Sequence, residues 1–539
     1  MVSNTIIIQA RTTSNRLKFK TLFPINKLPL VVYLCKRLSS QKYKLIVATS
    51  RNKSDDALCF ELKKNNINYY RGSLEDVHSR YLALCKYKKK NDNIIRLTAD
   101  NPFVDLDLIE NLVNQFAKSG REFMYINSKA EKLPYGIAAE IFKVKFFKKV
   151  KARNQEEKEH VTLKFKKKNF EKNTAKFYYN NKVDYSKLRL SVDTIDDYKI
   201  VNAIVSKNKK FANFNLSEIF KKSKKYFNKG LINKKIPNIE SLFQKKFILG
   251  TAQLCDDYGI KNKNIITSKY DLMKKGKEIL LNAKNFNIKY IDTANSYINS
   301  EKLIGKFQKK EKYDFKVYSK LENIKKNLSP DELINQIDKS VGLSLKRLKV
   351  KKIYCLQIHN INNLYDYETL LLKCLKKFKA QGTICKIGIS VYTKDDFIKA
   401  IKSKYIDVIQ FPINILDFRW NNINSTIKKY GKRKEFLARS VFLQGYLLPE
   451  INKNNKQFIK KINSFVTRCK RSGIKDLLIN YVKSFKWISK IIIGIDNPLE
   501  INELYYLFNQ TSLKHKDINY IKNNNKIIPE KMLLPNLWK

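Results

Sequence analysis

Several features that assign a sequence to a definite class are absent from this one. No stretch of about 18 consecutive uncharged apolar residues occurs, so no membrane-spanning helix is predicted. The eight cysteines are scattered, without a C-x-x-C pair or a Cys/His cluster of zinc-site spacing, and we interpret them as small buried thiols. Residues 1–9 have no basic region before their apolar run and no cleavage site, so they predict a first β-strand rather than a signal peptide. We therefore expect a cytoplasmic protein.

Acidic residues are scarce relative to basic ones. Lys and Arg number 109 against 49 Asp and Glu, which gives a formal net charge of +60. Such a charge is typical of nucleic-acid-binding proteins, and that class is one alternative. However, the lysines are spread over both halves of the chain, and no aromatic platform or nucleic-acid motif accompanies them. We interpret the charge as a general over-use of Lys, Asn and Ile, as AT-rich coding produces, and expect no nucleic-acid partner. The positive field could still attract phosphorylated substrates.

The length of 539 residues predicts two or three domains. Two blocks alternate short β-branched runs with amphipathic stretches, which is typical of parallel α/β architecture. A segment rich in Lys, Asn and Phe separates them and predicts a helical extension and a linker. We expect a first α/β domain at 1–205, the extension and linker at 206–245, a second α/β domain at 246–510 and a polar tail at 511–539.

A basic, hydroxyl-rich loop at residues 10–20 follows the first predicted strand, residues 5–9. A loop at the carboxyl end of such a strand lies where ligands bind in α/β sheets. Its Arg11, Arg16 and Lys20 could together hold a triphosphate, because arginine forks match phosphate oxygens. The alternative interpretation is a solvated surface loop.

Two aspartates follow predicted strands later in the first block. Asp100 comes after the strand at 94–97, in T-A-D-N-P, and Asp193 ends a strand candidate in L-R-L-S-V-D. Carboxylates at these points suit Mg²⁺ coordination beside a nucleotide. A cation held between them would neutralise the α-phosphate and the leaving pyrophosphate during nucleotidyl transfer.

An ordered series of motifs covers nearly all of the first block. They are I-I-Q-A-R at 7–11, S-x-R-L at 14–17, I-V-A-T-S at 46–50, R-G-S-x-x-D-V at 71–77, R-L-T-A-D-x-P at 96–102, L-P-Y-G-I-A-A-E at 133–140 and E-x-E-H-V-T at 157–162. In this order they resemble the cytidylyltransferases of the spore-coat-polysaccharide type, relatives of the enzymes that make CMP-activated acidic sugars. The resemblance implies a Rossmann-like fold of the nucleotide-diphospho-sugar transferase type. It also implies that CTP is bound by Arg11, Ser14, Arg16 and Lys20, and Mg²⁺ by Asp100 and Asp193.

The first block departs from the family in its basic loop. The family usually reads R-L-P-G-K, whereas residues 16–20 read R-L-K-F-K. The loss of both Pro and Gly changes the backbone freedom of the loop. An alternative is therefore that the first domain is an inactive nucleotide-binding module and that only the second domain is catalytic.

Eight strand candidates separated by helical stretches make up the second block. They lie at 247–252, 289–294, 316–321, 352–359, 385–390, 407–412, 436–442 and 490–495. One helix is predicted to begin at S-P-D-E, residues 329–332, which combines an N-cap Ser, a Pro at the first helical position and a capping-box Glu. Eight β/α units in about 250 residues predict a (β/α)₈, or TIM, barrel.

Four ionisable side chains follow successive strands of this predicted barrel at the end where barrels carry catalysis: Asp292, Tyr297, Lys320 and His359. Carbonyl reduction needs a hydride donor and a proton donor for the developing alkoxide. A tyrosine with a pKa of about 10 is too weak an acid unless a lysine cation eases its proton release. An aspartate can orient that lysine, and a histidine can hydrogen-bond the carbonyl oxygen.

Motifs around these residues resemble the aldo-keto reductase superfamily. They include L-G-T-A-Q-L-C-D-D-Y-G-I at 249–260, I-D-T-A-N-S-Y at 291–297, S-L-K-R-L at 344–348, G-I-S-V-Y at 388–392 and I-Q-F-P-I-N at 409–414. The resemblance implies that Asp292, Tyr297, Lys320 and His359 form the catalytic tetrad, with Tyr297 as acid/base. It implies a nicotinamide cofactor bound by Ser390 and Gln410 at the carboxamide, by Ser440, Leu443 and Gly445 at the pyrophosphate and by Gly494 and Glu503 at the adenosine.

Two departures affect the expected cofactor. Asp496 lies where many members place a Ser, Lys or Arg for the 2′-phosphate, so NADPH is expected but NADH is possible. Arg439 takes the place of an aromatic residue that stacks on the nicotinamide, and a guanidinium plane can also stack.

The sequence as a whole therefore predicts a bifunctional enzyme that acts on small-molecule sugars. The first half would transfer CMP from CTP, and the second would reduce a carbonyl with NADPH or NADH. A shared role in surface polysaccharide or glycan synthesis follows only from the presence of both domains on one chain, and an oligomer is possible.

Overall fold

The computed structural model describes the whole chain apart from a few stretches. Those outside it are Met1, Asn15, Asn181, residues 207–214, 229–230, 233–240 and 256–267, Asn421, and residues 450–455, 526–532 and 534–539. The end of the motif at 249–260 and the last part of the predicted tail, apart from Leu533, therefore lie outside the described residues. The chain divides into two compact units, residues 1–238 and 239–539, and the division falls inside the segment predicted as a linker.

The first unit is built on a seven-stranded mixed sheet. The strands of the unit are β1 (Asn4–Gln9), β2 (Pro24–Ile25), β3 (Leu28–Pro29), β4 (Lys44–Ser50), β5 (Tyr69–Gly72), β6 (Asn93–Thr98), β7 (Phe123–Tyr125), β8 (Glu140–Lys143), β9 (Thr174–Lys176), β10 (Phe227–Asn228) and β11 (Leu231–Ile232). The order in the large sheet is β5-β4-β1-β6-β8-β7-β9. β1 lies at its centre, parallel to β4 and β6, and its isoleucines 6–8 are fully buried, as expected for a strand covered on both faces.

The helices of this unit lie between and after its strands along the chain. They are α1 (Leu30–Arg37), α2 (Asp56–Lys64), α3 (Val77–Cys85), α4 (Leu106–Ser119), α5 (Val144–Lys149), α6 (Gln155–Glu159), α7 (Ile195–Ser206) and α8 (Leu216–Ser223). α4 shows why they form: Asp105 caps its first turn, Gly120 ends it in the left-handed conformation, and its buried residues recur at helical spacing. The predicted α/β fold is confirmed.

Two details of the first unit differ from the sequence prediction. The sheet is not wholly parallel, because β8 runs antiparallel to both β6 and β7. The prediction of a strand that ends at Asp193 is wrong, because this segment makes only an isolated bridge between Arg189 and Tyr135. Its backbone bonds are directed to loops instead, since Leu190 N–H donates to the Tyr135 carbonyl and Val192 N–H donates to that of Asp100.

The second unit is a closed barrel of eight parallel strands. They are β12 (Phe247–Gly250), β13 (Tyr290–Asp292), β14 (Lys316–Lys320), β15 (Ile353–Ile358), β16 (Ile384–Ser390), β17 (Val408–Pro412), β18 (Glu435–Arg439) and β19 (Lys490–Gly494), and β12 pairs with β19 to close it. At this seam a Cβ on Gly250 would lie 3.2 Å from Gly494 N, so the two glycines allow a close backbone approach. The predicted (β/α)₈ barrel is confirmed.

The helices of the second unit follow the strands in turn. They are α9 (Leu242–Lys246), α10 (Lys269–Asn285), α11 (Ile298–Glu311), α12 (Pro330–Leu348), α13 (Asn362–Ala380), α14 (Lys394–Lys402), α15 (Asn424–Tyr430), α16 (Lys456–Arg468), α17 (Ile474–Lys483), α18 (Glu500–Phe508) and α19 (His515–Asn523). α12 begins at the predicted capping box of Ser329 and Glu332. α19 lies in the segment predicted as a polar tail. Among the described residues, none of the helices combines the length and the apolar character that crossing a bilayer requires.

Candidate active sites

A cavity of about 340 Å³ opens at the carboxyl ends of β1 and β6 in the first unit. All six residues predicted to hold a nucleotide and its metal line it: Arg11, Ser14, Arg16, Lys20, Asp100 and Asp193. Residues that follow β1 and β6 lie close together because these strands are parallel neighbours, so the loops after them leave the sheet at the same edge.

The basic loop after β1 is anchored from inside the unit. The buried carboxylate of Asp55 accepts hydrogen bonds from Thr12 N (2.7 Å) and Thr12 Oγ1 (2.8 Å), and Phe19 N donates to the Thr12 carbonyl (2.8 Å). Phe19 has φ 59°, in the left-handed region that glycine adopts without strain. Position 19 is where the family motif has glycine, so the phenylalanine keeps a glycine-like turn.

Lys20 bridges the two predicted metal ligands. Its Nζ lies 2.7 Å from Asp100 Oδ2 and 3.0 Å from Asp193 Oδ1. Burial alone would raise the pKa of Asp100, but the Lys20 cation and a hydrogen bond from Thr98 lower it below its ordinary value. Both carboxylates therefore converge on a position that a positive charge occupies.

Asp193 is held by an irregular segment that crosses behind the cavity. Gly136 has φ 101°, and a Cβ there would lie 2.3 Å from Ser191 N, so only glycine fits between the two backbones. Asp193 N donates to Asp197 Oδ2 (3.0 Å), and the Asp193 carboxylate also pairs with Arg189 Nη2 (2.6 Å) and Arg16 Nη2 (2.9 Å). This setting makes Asp193 both buried and strongly surrounded by cations.

Two carboxylates that face one point fit a divalent cation that takes its other ligands from phosphate and water. Among the described residues, no group of three or more His, Cys, Asp or Glu has the arrangement of a complete protein metal site. The donor set therefore suits Mg²⁺ brought in with a nucleotide, rather than a metal enclosed by protein alone.

The far side of the cavity combines charged and polar side chains. Arg11 Nη2 pairs with Glu159 Oε1 at 2.5 Å, and His160, which is exposed, lies beside this pair. Arg96, which also lines the cavity, pairs with Glu140 at 2.6 Å; burial favours a neutral Glu140, but Arg96 and Lys166 lower its pKa to about 2. Glu159 and Arg189 were not predicted as site residues, although Glu159 lies in the motif at 157–162 and Arg189 in the strand candidate that ends at Asp193.

In the barrel, Asp292 at the end of β13 and Lys320 at the end of β14 form a buried pair. Lys320 Nζ donates to Asp292 Oδ2 (2.7 Å) and to the Thr293 carbonyl (3.0 Å). The other oxygen, Asp292 Oδ1, accepts from Gln410 Nε2 (2.8 Å) and Gln357 Nε2 (3.3 Å). Gln410, predicted at the nicotinamide carboxamide, donates to Asp292 in this structure and orients it. Gln357 was missed, because an amide inside a β-branched strand gives no distinctive sequence signal.

The other two predicted tetrad members lie at the same end of the barrel. Tyr297 is partly exposed and directly precedes α11, after the strand that carries Asp292. His359 follows β15, where burial and the nearby Lys320 charge lower its pKa to about 4. Its imidazole is therefore neutral near pH 7 and can donate one hydrogen bond.

The predicted cofactor residues are distributed over β16 to α18. Ser390 ends β16, and Ser440, Leu443 and Gly445 form a turn after β18, in which all three have positive φ values (59°, 48° and 94°). This conformation ends β18 at Arg439, three residues before the predicted end. Within this turn, the N–H groups of Leu443 and Gly445 donate to the carbonyls of Ser440 and Phe442 (both 2.9 Å).

The remaining predictions concern the end of β19 and α18. Gly494 ends β19, where a Cβ would lie 2.7 Å from Gln253 Oε1, and Glu503 on α18 pairs with Lys475 (3.0 Å). Asp496 N donates to Glu500 Oε2 (3.2 Å), which brings a second carboxylate to this region. Arg439 lies over the ring of Tyr392 (4.2 Å to the centroid) rather than on a carboxylate.

Family models match both units. Residues 246–526 match the aldo/keto reductase family, and residues 5–237 match the cytidylyltransferase family. The spore coat polysaccharide biosynthesis protein SpsF of Bacillus subtilis is 30% identical over 216 residues, which cover 37% of this chain and 85% of that protein.

Solved structures also resemble each unit. A cytidylyltransferase from Leptospira borgpetersenii is 30% identical, covers 42% of this chain and 95% of its own, and has a TM-score of 0.39. An aldo-keto reductase from Bacillus halodurans is 19% identical, covers 52% of this chain and 93% of its own, and has a TM-score of 0.42.

Proposed function

Since this chain belongs to the cytidylyltransferase family over residues 5–237 and to the aldo/keto reductase family over residues 246–526, we propose that it is a bifunctional enzyme of activated-sugar synthesis. The first unit transfers CMP from CTP to a sugar, and the second reduces a carbonyl group with a nicotinamide nucleotide. The convergence of six phosphate- and metal-type side chains on one cavity carries the first proposal. The buried Asp292–Lys320 pair at the catalytic end of the barrel carries the second.

In the first unit, the basic loop supplies the triphosphate site. Arg11, Arg16 and Ser14 line the cavity on the side of this loop and bind phosphate oxygens. Asp100 and Asp193 hold Mg²⁺, which supplies charge neutralisation at the α-phosphate. The acceptor hydroxyl or phosphate enters beside Arg11, Glu159 and His160, where the cavity carries mixed charge.

In the barrel, a bound nicotinamide nucleotide supplies the hydride. Tyr297 gives its phenolic proton to the carbonyl oxygen, and Lys320 stabilises the phenolate that remains. Asp292 keeps Lys320 charged and oriented. His359, neutral at physiological pH, donates a hydrogen bond to the same carbonyl oxygen and orients the substrate.

The cofactor of the barrel is NADPH by family usage, with NADH as an alternative that the local charge favours. Asp496, Glu500 and Glu503 lie at or just before the first turn of α18, and a carboxylate repels a 2′-phosphate. Asp496→Ser should therefore raise kcat/KM for NADPH relative to NADH, as initial rates with each nucleotide will show. An unchanged ratio would remove Asp496 from cofactor selection.

The presence of both domains on one chain supports a shared role in the synthesis of a surface polysaccharide or glycan. The named relative SpsF, a spore coat polysaccharide biosynthesis protein, is consistent with this role. The substrates CTP and NAD(P)H favour the cytoplasm as its location.

The direct test measures both reactions on the intact chain. With CTP, Mg²⁺ and a panel of acidic sugars and sugar phosphates, we expect pyrophosphate release that Asp100→Asn abolishes. With NADPH or NADH and a panel of aldehydes and keto sugars, we expect nucleotide oxidation that Tyr297→Phe lowers by about 10²–10⁴-fold.

The two variants control for each other, because Asp100→Asn should keep nucleotide oxidation and Tyr297→Phe should keep pyrophosphate release. Full turnover by Tyr297→Phe would refute the acid/base assignment. Absence of pyrophosphate release across the whole panel would count against the first activity.

A further inference from the structure

The two metal-type carboxylates of the first unit are already paired with cations. Lys20 Nζ lies 2.7 Å from Asp100 Oδ2, and Asp193 Oδ1 is shared by Lys20 Nζ (3.0 Å) and Arg16 Nη2 (2.9 Å). The remaining oxygens accept from Arg189, Ser191 and Thr98. Three cations thus face two carboxylates, so a divalent cation has to compete with positive side chains for three of the four carboxylate oxygens.

These cations are held to different degrees. Arg189 is also tied to Asp197 (3.2 Å) beside Asp193 and belongs to the wall of the site. Arg16, in contrast, is 63% exposed, and both Arg16 and Lys20 lie in the basic loop that lines the cavity. The two cations that block the carboxylates are therefore the ones that a phosphate ligand can reach.

A nucleoside triphosphate carries several negative charges and offers both cations a stronger partner than a shared carboxylate. If Lys20 and Arg16 move onto the phosphates, Asp100 and Asp193 lose two of their three cations. The same step brings anionic phosphate oxygens next to these carboxylates, which then attract a divalent cation. Nucleotide and metal would each improve the binding of the other, as reciprocal linkage requires.

We propose that Lys20 and Arg16 gate the metal site: they occupy Asp100 and Asp193 until a triphosphate draws them away, so Mg²⁺ binds together with the nucleotide and not before it. Lys20 is the principal gate, because it bridges both carboxylates, whereas Arg16 pairs with Asp193. This inference rests on the proposed cytidylyl-transfer function and adds an order of binding to it.

The test follows Mn²⁺, a spectroscopic substitute for Mg²⁺, by electron paramagnetic resonance on the intact chain. For the wild type, we expect Mn²⁺ to bind at least ten-fold more weakly alone than with saturating CTP. In Lys20→Met, Mn²⁺ alone should bind at least ten-fold more tightly than in the wild type, and the effect of CTP should shrink.

Two further variants make the result specific. Lys20→Arg retains the positive charge and should keep the weak binding of Mn²⁺ alone. Asp193→Asn should weaken Mn²⁺ binding both in the wild type and when it is combined with Lys20→Met. Equal Mn²⁺ affinity with and without CTP in the wild type would overturn the gate but leave CTP binding intact. Failure of CTP to bind at all, by calorimetry with and without Mn²⁺, would overturn the nucleotide site itself and the gate with it.

Discussion

Lys20 and Lys320 are two buried lysines that pair with aspartates, yet the two units hold them differently. Lys320 is part of strand β14 and donates to one carboxylate and to the Thr293 carbonyl. Lys20 is the last residue of the basic loop, directly after the left-handed Phe19, and bridges two carboxylates. Their side chains are similarly buried, at 4% and 8% exposed, so burial alone does not distinguish their roles.

The difference matches what each proposed reaction requires. Proton transfer needs a donor and its helper at fixed separation, and a strand that is paired on both sides holds Lys320 in place. Nucleotide binding needs a cation that can follow phosphate, and a residue at the end of a loop can change partners. A lysine–aspartate pair is therefore not informative by itself: the backbone that carries the lysine indicates whether the cation is fixed or can move.

The largest expected effect comes from removing each lysine in turn. Lys320→Met should lower nucleotide oxidation by about 10²–10⁴-fold, because Tyr297 loses the cation that eases its proton release, and should leave pyrophosphate release unchanged. Lys20→Met should give the reverse pattern. Both rates are measured on the same preparations, and loss of both activities in either variant would contradict independent roles.

The second prediction concerns the backbone that positions Asp193. Gly136→Ala would bring a Cβ to 2.3 Å from Ser191 N and displace the Asp193 segment. A displacement of about 1 Å can cost about 10²-fold in rate, so we expect a loss of that order in pyrophosphate release.

Gly120→Ala is the matched control. Gly120 also has a positive φ, of 65°, but a Cβ there meets no atom within 4 Å. It should therefore show backbone strain without the loss of activity. Equal losses in the two variants would mean that strain, not the contact with Ser191, causes the defect.

A third prediction concerns the charge that Lys320 exerts on His359. Burial and Lys320 lower the pKa of His359 to about 4, so Lys320→Met should raise it. Nuclear magnetic resonance titration of the imidazole protons measures this directly. The same pKa in wild type and variant would show that burial alone sets the value.

The lowered pKa of His359 also predicts how the free energy of unfolding depends on pH. Between the ordinary histidine pKa of about 6.5 and the folded value of about 4, the unfolded chain binds more protons than the folded one. The contribution of His359 is therefore fully present above pH 6.5 and is lost as the pH falls towards 4. In Lys320→Met, the pKa of folded His359 should be higher, so the pH range over which this stability is lost should become narrower. His359→Gln should remove this pH dependence of the free energy of unfolding, which denaturation at each pH measures.

The smallest expected effect concerns Phe19, the left-handed residue directly before Lys20. Phe19→Gly removes the strain of a left-handed phenylalanine, which costs about 1–2 kcal/mol. It also raises the entropy of the unfolded chain, which lowers stability by about 0.4–1 kcal/mol. CTP affinity by calorimetry should therefore change only slightly. Phe19→Val should weaken CTP binding clearly, since a β-branched residue resists this φ, and equal affinities in both variants would mean that the turn does not matter.

The sequence was sufficient for the barrel because its strands are short β-branched runs and its polar residues follow them at a fixed place. The position of Lys320 at the carboxyl end of β14 was predictable for that reason. The surroundings of Asp193 were not predictable, because they depend on contacts between segments far apart in the chain, such as Gly136 against Ser191. The departure at Phe19 suggested an altered loop, yet its backbone keeps the turn because Asp55 and Thr12 hold it from behind.

The seam between β12 and β19 has a consequence for how the protein is made. It joins the first barrel strand, near residue 250, to the last, near residue 490, so the barrel cannot close until almost the whole chain has left the ribosome. The first unit ends at residue 238 and has all its strands by then. Non-local closure is slow, so nascent chains should carry a folded nucleotide-binding unit well before the barrel forms, and chaperone dependence should fall mainly on the barrel.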